Sequence, residues 1–170
     1  LARDADVNAN RAGVTAIAAA LGITAVDAAA LETALVDGSI KVVVALGDVL
    51  PVTEGRLADV DYIALASHER GPVGKAKVAL PVAAWAETSG TVTNRAGRVQ
   101  RMHGAVPAPG HAIAGWEAVC RLGGAAGVKM SWSSARDLFK EMTTQVPAFA
   151  GAVWGREVRP LQLRFAGSRG

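Results

Sequence analysis

Three short apolar runs constrain this chain more than any other feature: Ile40-Lys41-Val42-Val43-Val44-Ala45-Leu46, Asp61-Tyr62-Ile63-Ala64-Leu65-Ala66-Ser67 and Lys77-Val78-Ala79-Leu80-Pro81. Each has strand length and is bounded by turn-forming residues. The first run, continuous and bounded by Gly47-Asp48, predicts a strand buried on both faces, which favours a parallel sheet covered by helices. The links between the runs read as short helical segments. Strand, helix, strand, helix, strand defines an α/β fold, here a Rossmann-like, partly parallel sheet flanked by helices. A polar loop or hairpin and C-terminal helices follow it. Ligands of open sheets sit beyond the carboxyl ends of the strands. Gly47-Asp48, Ser67-His68-Glu69 and the polar stretch from Gly90 to Gln100 are therefore expected to converge at one sheet edge.

Helices flank these runs. Asn10 to Leu21 is alanine-rich and ends at Gly22. Thr24 is placed to cap a helix from about Ala25 to Val36, with Gly38 as its stop. Later, Ile113 to Leu122 reads as a helix ended by Gly123-Gly124. Ser133 or Ser134 caps a last helix, Ala135 to Gln145, stopped by Val146-Pro147. The expected organisation is an α/β domain over residues 1–151, as part of a longer polypeptide, followed by an arginine-rich arm over 152–170.

The totals narrow the function. The chain has 170 residues, 51% apolar and 19% charged, enough for a sizeable core and too apolar for a disordered tail. A net charge of +3, with no aromatic-interleaved basic stripe, argues against nucleic-acid binding. No apolar stretch is long enough to span a membrane and no leader sequence is visible, so the chain is expected to be cytoplasmic. The single cysteine, Cys120, reads as a core residue. His68, His103 and His111 are far apart in sequence and lack metal-ligand spacing, so structural or solvent-facing roles are expected.

Chemistry concentrates in Glu87-Thr88-Ser89-Gly90-Thr91-Val92-Thr93-Asn94-Arg95-Ala96-Gly97-Arg98-Val99-Gln100. Gly90 and Gly97 offer backbone angles or close approaches that a side chain blocks. Thr91, Thr93, Asn94, Arg98 and Gln100 supply directional hydrogen-bonding groups. A phosphate, a pterin-like ring edge or a partner's carboxylates are the matching ligands. Two plainer readings compete: Asn94 capping a turn, and Glu87 paired with an arginine or a helix end.

Order and spacing carry a resemblance. Leu80-Pro81, Glu87-x-x-Gly90-Thr91-x-x-Asn94-x-x-Gly97-Arg98-x-Gln100, Pro107-x-Pro109-Gly110 and Trp116 resemble the molybdopterin oxidoreductase superfamily. With Ser131-Trp132-Ser133-Ser134 and Val146-Pro147-Ala148-Phe149-Ala150-Gly151, the pattern looks most like the C-terminal part of the molybdopterin-oxidoreductase-like component of NADH:quinone oxidoreductase, respiratory complex I. The Gly97-Arg98 pair and the ending after the last helix favour that member.

The resemblance implies that Gly47 and Asp48 lie near the nucleotide end of a pterin cofactor. It assigns Gly90 to close backbone approach, Thr91 and Asn94 to hydrogen bonds, and Arg98 and Gln100 to phosphate or pterin edges. No catalytic residue and no metal ligand is expected in the chain. The complex I component holds no molybdenum in this fold, so the expected role is a cofactor-free scaffold of the peripheral arm. Its partners would be other subunits of a respiratory or redox complex, with iron–sulfur clusters elsewhere in that complex and attachment to the membrane only through it. The alternative is the cofactor-binding half of a formate-dehydrogenase-like molybdenum or tungsten oxidoreductase, holding molybdopterin guanine dinucleotide.

Overall fold

The computed structural model describes residues 10–155, which fall into two compact units whose segments alternate along the sequence. The expected arm therefore lies mostly outside the described residues.

The larger unit takes in residues 26–88 and 104–131. Its strands β1 (Val42–Leu46), β2 (Asp61–Ala66) and β3 (Val78–Pro81) form a parallel sheet in the order β1-β2-β3. Val43 registers with Tyr62, and Ala64 with Ala79. The α/β fold and parallel sheet read from the sequence are thus present. The two crossovers carry 3₁₀ turns, Glu54–Asp59 and Gly71–Lys75.

One face of the sheet holds the main core. Val43, Ala45, Tyr62, Ala64 and Ala66 pack with Leu35 of helix α2 (Ala28–Val36) and with Leu57 and Val73 of the two 3₁₀ turns. The central strand β2 buries residues on both faces, since Leu65 packs oppositely with Val82 and Ala118. Strand β1 corrects the expectation of two buried faces: Val42, Val44 and Leu46 are 49–60% exposed. It sits at an edge of the sheet, and its uninterrupted valines satisfy one apolar face while leaving the other open within the described residues.

Helix ends explain two further differences. α2 is capped by Asp27 rather than Thr24, because the Asp27 carboxylate accepts the Ala30 N–H at 2.8 Å. Helix α3 (Gly115–Ala125) runs through Gly123 and Gly124 instead of stopping there. It closes at Gly127, whose φ of 82° allows its N–H to reach Gly124 O and the Val128 N–H to reach Gly123 O.

The smaller unit joins helix α1 (Arg11–Ala20), a hairpin of β4 (Gly90–Thr93) and β5 (Val99–Met102), and helix α4 (Ala135–Gln145). α4 has the predicted bounds and uses Ser134 as its cap. The Ser133 and Ser134 hydroxyls donate to Asp137, holding its carboxyl below the usual range. Val99, Phe139, Val146 and Phe149 form the core, with Trp154 packed beside Phe139.

Asn10, in the left-handed region at φ 66°, accepts the Thr93 N–H at 2.8 Å and so ties α1 to the hairpin. Gly13 makes this approach possible. A Cβ there would lie 2.7 Å from both Asn10 Oδ1 and Thr93 Oγ1. Gly13→Ala is therefore expected to destabilise the protein by about 1–3 kcal/mol through overpacking, read as a lower urea midpoint.

Candidate functional site

The carboxyl ends of β1 and β2 carry a closely bonded polar cluster. Gly47 continues the ladder, its N–H donating to Leu65 O at 2.9 Å, and its φ of 121° turns the chain where a side chain would be strained. Asp48 is thereby brought to the end of β2. Its Oδ1 accepts the Ser67 N–H at 2.7 Å and the His68 N–H at 3.3 Å. Its Oδ2 accepts the Ser67 hydroxyl at 2.9 Å and lies 2.9 Å from His68 Nδ1. Burial pushes the Asp48 carboxyl up, but the bonds from His68 and Ser67 outweigh it and hold it at about 2. The group is an anion at any pH near neutrality.

Beside the cluster lies a cavity of about 240 Å³. Ser67, His68 and Glu69 give it a polar side, while Ala66, Val73, Ala79, Leu80 and Pro81 give it apolar walls. The predicted grouping of Gly47-Asp48 with Ser67-His68 is present, at the edge where open parallel sheets bind ligands. Sequence spacing alone gave His68 no paired acidic neighbour, although the expected sheet edge grouped it with Asp48. Asp48 lies 20 residues before it, and only the parallel pairing of β1 with β2 makes them neighbours.

The other predicted residues lie in the smaller unit, on the β4–β5 hairpin. Asn94 caps its turn: Oδ1 accepts the Arg98 N–H at 2.9 Å, and Nδ2 donates to Gln100 Oε1 at 3.3 Å. The turn needs Gly97, at φ 76°. Gly90 has open space beside it, since a Cβ there would meet nothing within 4 Å. Thr91 pairs with Arg101 across the hairpin, and the Arg98 side chain is exposed. In the larger unit, Glu87 takes its helix-end role by accepting the Ala84 N–H at 2.8 Å. Asn94 and Gln100 are thus engaged with the hairpin itself.

No helix among the described residues is long and apolar enough to cross a membrane, and none of their His, Cys, Asp and Glu residues form a group able to hold a metal.

Residues 9–125 match the family described as Molybdopterin oxidoreductase, and the chain belongs to that family. It is 45% identical over 83 residues to the F420-dependent formate dehydrogenase 2 subunit alpha of Methanococcus maripaludis, an alignment covering 48% of this chain and 12% of that protein. It is 36% identical over 83 residues to the F420-dependent formate dehydrogenase subunit alpha of Methanocaldococcus jannaschii, with the same two coverages. The assimilatory nitrate reductase catalytic subunit of Bacillus subtilis is 34% identical over 87 residues, again 48% of this chain and 12% of the relative. The chain thus spans about 12% of the length of these relatives. The family resemblance read from the sequence is correct at that level. Its finer likeness to a component of respiratory complex I finds no support in these relatives.

Proposed function

We propose that the chain is part of the cofactor-binding portion of a formate-dehydrogenase-like molybdenum or tungsten oxidoreductase. The observation that carries this reading is the 45% identity to a formate dehydrogenase alpha subunit across 83 residues. It favours the catalytic alternative over a complex I scaffold. The polar cluster at the carboxyl edge of the sheet adds a physical reason, since the cavity beside it has the character of a site for one end of an extended nucleotide cofactor.

The residues present fit the nucleotide end. Gly47 turns the chain, Asp48 fixes Ser67 and His68, and apolar side chains form walls for a flat ring. Thr91 and Arg98 on the hairpin are the residues of the smaller unit that would donate to phosphate or pterin. The metal's own ligand would come from another part of the polypeptide, since Cys120 lies within α3. When bound, the cofactor supplies the two-electron oxidation of formate. This chain's residues bind and orient it, and other subunits of a redox complex complete the electron path.

Acid denaturation of the native assembly, followed by chromatography of the released small molecules, tests this reading. A guanine nucleotide at near-equimolar amount is expected. Its absence would return the chain to the scaffold reading.

A further inference from the structure

Ionised side chains are unevenly divided between the two units. The described residues of the smaller unit hold six lysines and arginines against two carboxylates, whereas the larger unit holds seven against ten. An anionic partner is therefore drawn to the smaller unit. There, Arg136, Lys140 and Thr143 stand at i, i+4 and i+7 on α4 and so share one face of the helix. With Val153 and Trp154 they line a cleft of about 430 Å³ that belongs to this unit alone.

We infer that this cleft is a docking surface for the acidic face of a second protein, whose carboxylates meet Arg136 and Lys140 while an aliphatic side chain between them meets Trp154 and Val153. The inference goes beyond the proposed function and does not depend on a bound cofactor.

The cleft has both halves of a protein-binding surface. Trp154 is half-buried, with its ring 5.4 Å from that of Phe139 and the Arg101 guanidinium 4.8 Å from its centroid. These contacts fix an aromatic anchor and put a third cation beside it. Val153, 57% exposed, extends the apolar wall. Tryptophan and arginine are the side chains that dominate the energetics of protein contacts. The charges are also available. Arg136 and Lys140 are exposed, and Lys140 makes no ion pair with a described residue. Asp137, the carboxylate among the described lining residues, accepts the Ser133 and Ser134 hydroxyls at 2.5 and 2.8 Å, and Arg136 is a minor influence on it.

A single phosphate fits less well. The Asp137 N–H at the start of α4 donates to Ser134 Oγ at 3.1 Å, so it is already taken and does not serve an anion. Arg136 and Lys140 lie about 6 Å apart along the helix axis, a spacing that suits separate carboxylates on a protein surface.

Two labelling reactions on the native assembly test this: acetylation of free amines, and cross-linking with a water-soluble carbodiimide, which joins a lysine amine to a carboxylate in contact with it. Lys140 is expected to be acetylated about tenfold more slowly in the assembly than in the isolated full chain, because an interface removes the amine from solvent. It should also be cross-linked to an aspartate or glutamate of another subunit. That cross-link should be lost in about 1 M salt, where the screening length is about 3 Å. The double variant Arg136→Glu, Lys140→Glu is expected to shed the cross-linked subunit while its urea midpoint stays unchanged, since both positions are exposed. Equal acetylation of Lys140 in both states would overturn the inference, as would cross-links confined to carboxylates of this chain. Protection without any carboxylate cross-link would overturn it too, and is the pattern that a nucleic acid or a small anion in the cleft would give. Retention of the subunit by the folded double variant has the same force. The labelling uses the unsubstituted protein, so it decides the matter even if the variant does not fold.

Discussion

Asp48→Ala is expected to cost about 2–3 kcal/mol of stability, because it strands the Ser67 N–H, the His68 N–H and the Ser67 hydroxyl that now share one carboxylate. Guanidinium unfolding of the variant and the unsubstituted chain gives the difference. The pH dependence separates this from simple loss of packing. Asp48 is lowered from 3.8 to about 2, and its side chain is only 21% exposed, so the anion contributes about 2 kcal/mol to the folded state. Since the folded value is the lower one, that contribution is full above the unfolded value of 3.8. It is lost as the pH falls through the folded value of about 2. The unsubstituted chain should therefore lose stability more steeply than Asp48→Ala between those two values. Parallel acid profiles would mean that the carboxylate is not held by these bonds.

The larger effect on folding is expected at Phe149. It is 1% exposed, follows the helix stop at Val146-Pro147, and packs with Val99 of β5 and Phe139 of α4. Phe149→Ala removes a ring that joins β5 to α4 and the turn directly after it, and it leaves a cavity where collapse is limited. The expected loss is about 3–5 kcal/mol. Chemical denaturation should show a much lower midpoint. A change below about 1 kcal/mol, on the order of an exposed substitution, would contradict the core assignment. Such a loss would affect the hairpin as well, because Val99 is part of the same core and forms the first residue of β5.

Local chemistry was legible where one residue decides the outcome. α4 has its predicted limits because Ser134 and Pro147 act on adjacent backbone, whereas α3 continued through Gly123-Gly124 because two glycines weaken a helix without forbidding it. The left-handed residue that closes α3 is Gly127. For β1, an unbroken apolar run carries no information about its place in the sheet, so its exposed face had no signature. The Gly97-Arg98 pair was a poor guide to which family member the chain resembles. Gly97 answers the φ of 76° that the hairpin turn requires, and any relative with the same turn has the same need. The polar cluster was half legible: residues following consecutive parallel strands gather at one edge, which grouped Asp48 with Ser67 and His68. The individual bonds that Asp48 makes to them depend on distances of a few tenths of an ångström, and no spacing in the sequence encodes those.

Elemental mass spectrometry of the native assembly that co-purifies with this chain tests the central claim most directly. A cofactor-binding portion of a formate-dehydrogenase-like enzyme predicts molybdenum or tungsten in stoichiometric ratio to the chain. Abundant iron with neither metal would contradict it and support a cofactor-free redox scaffold.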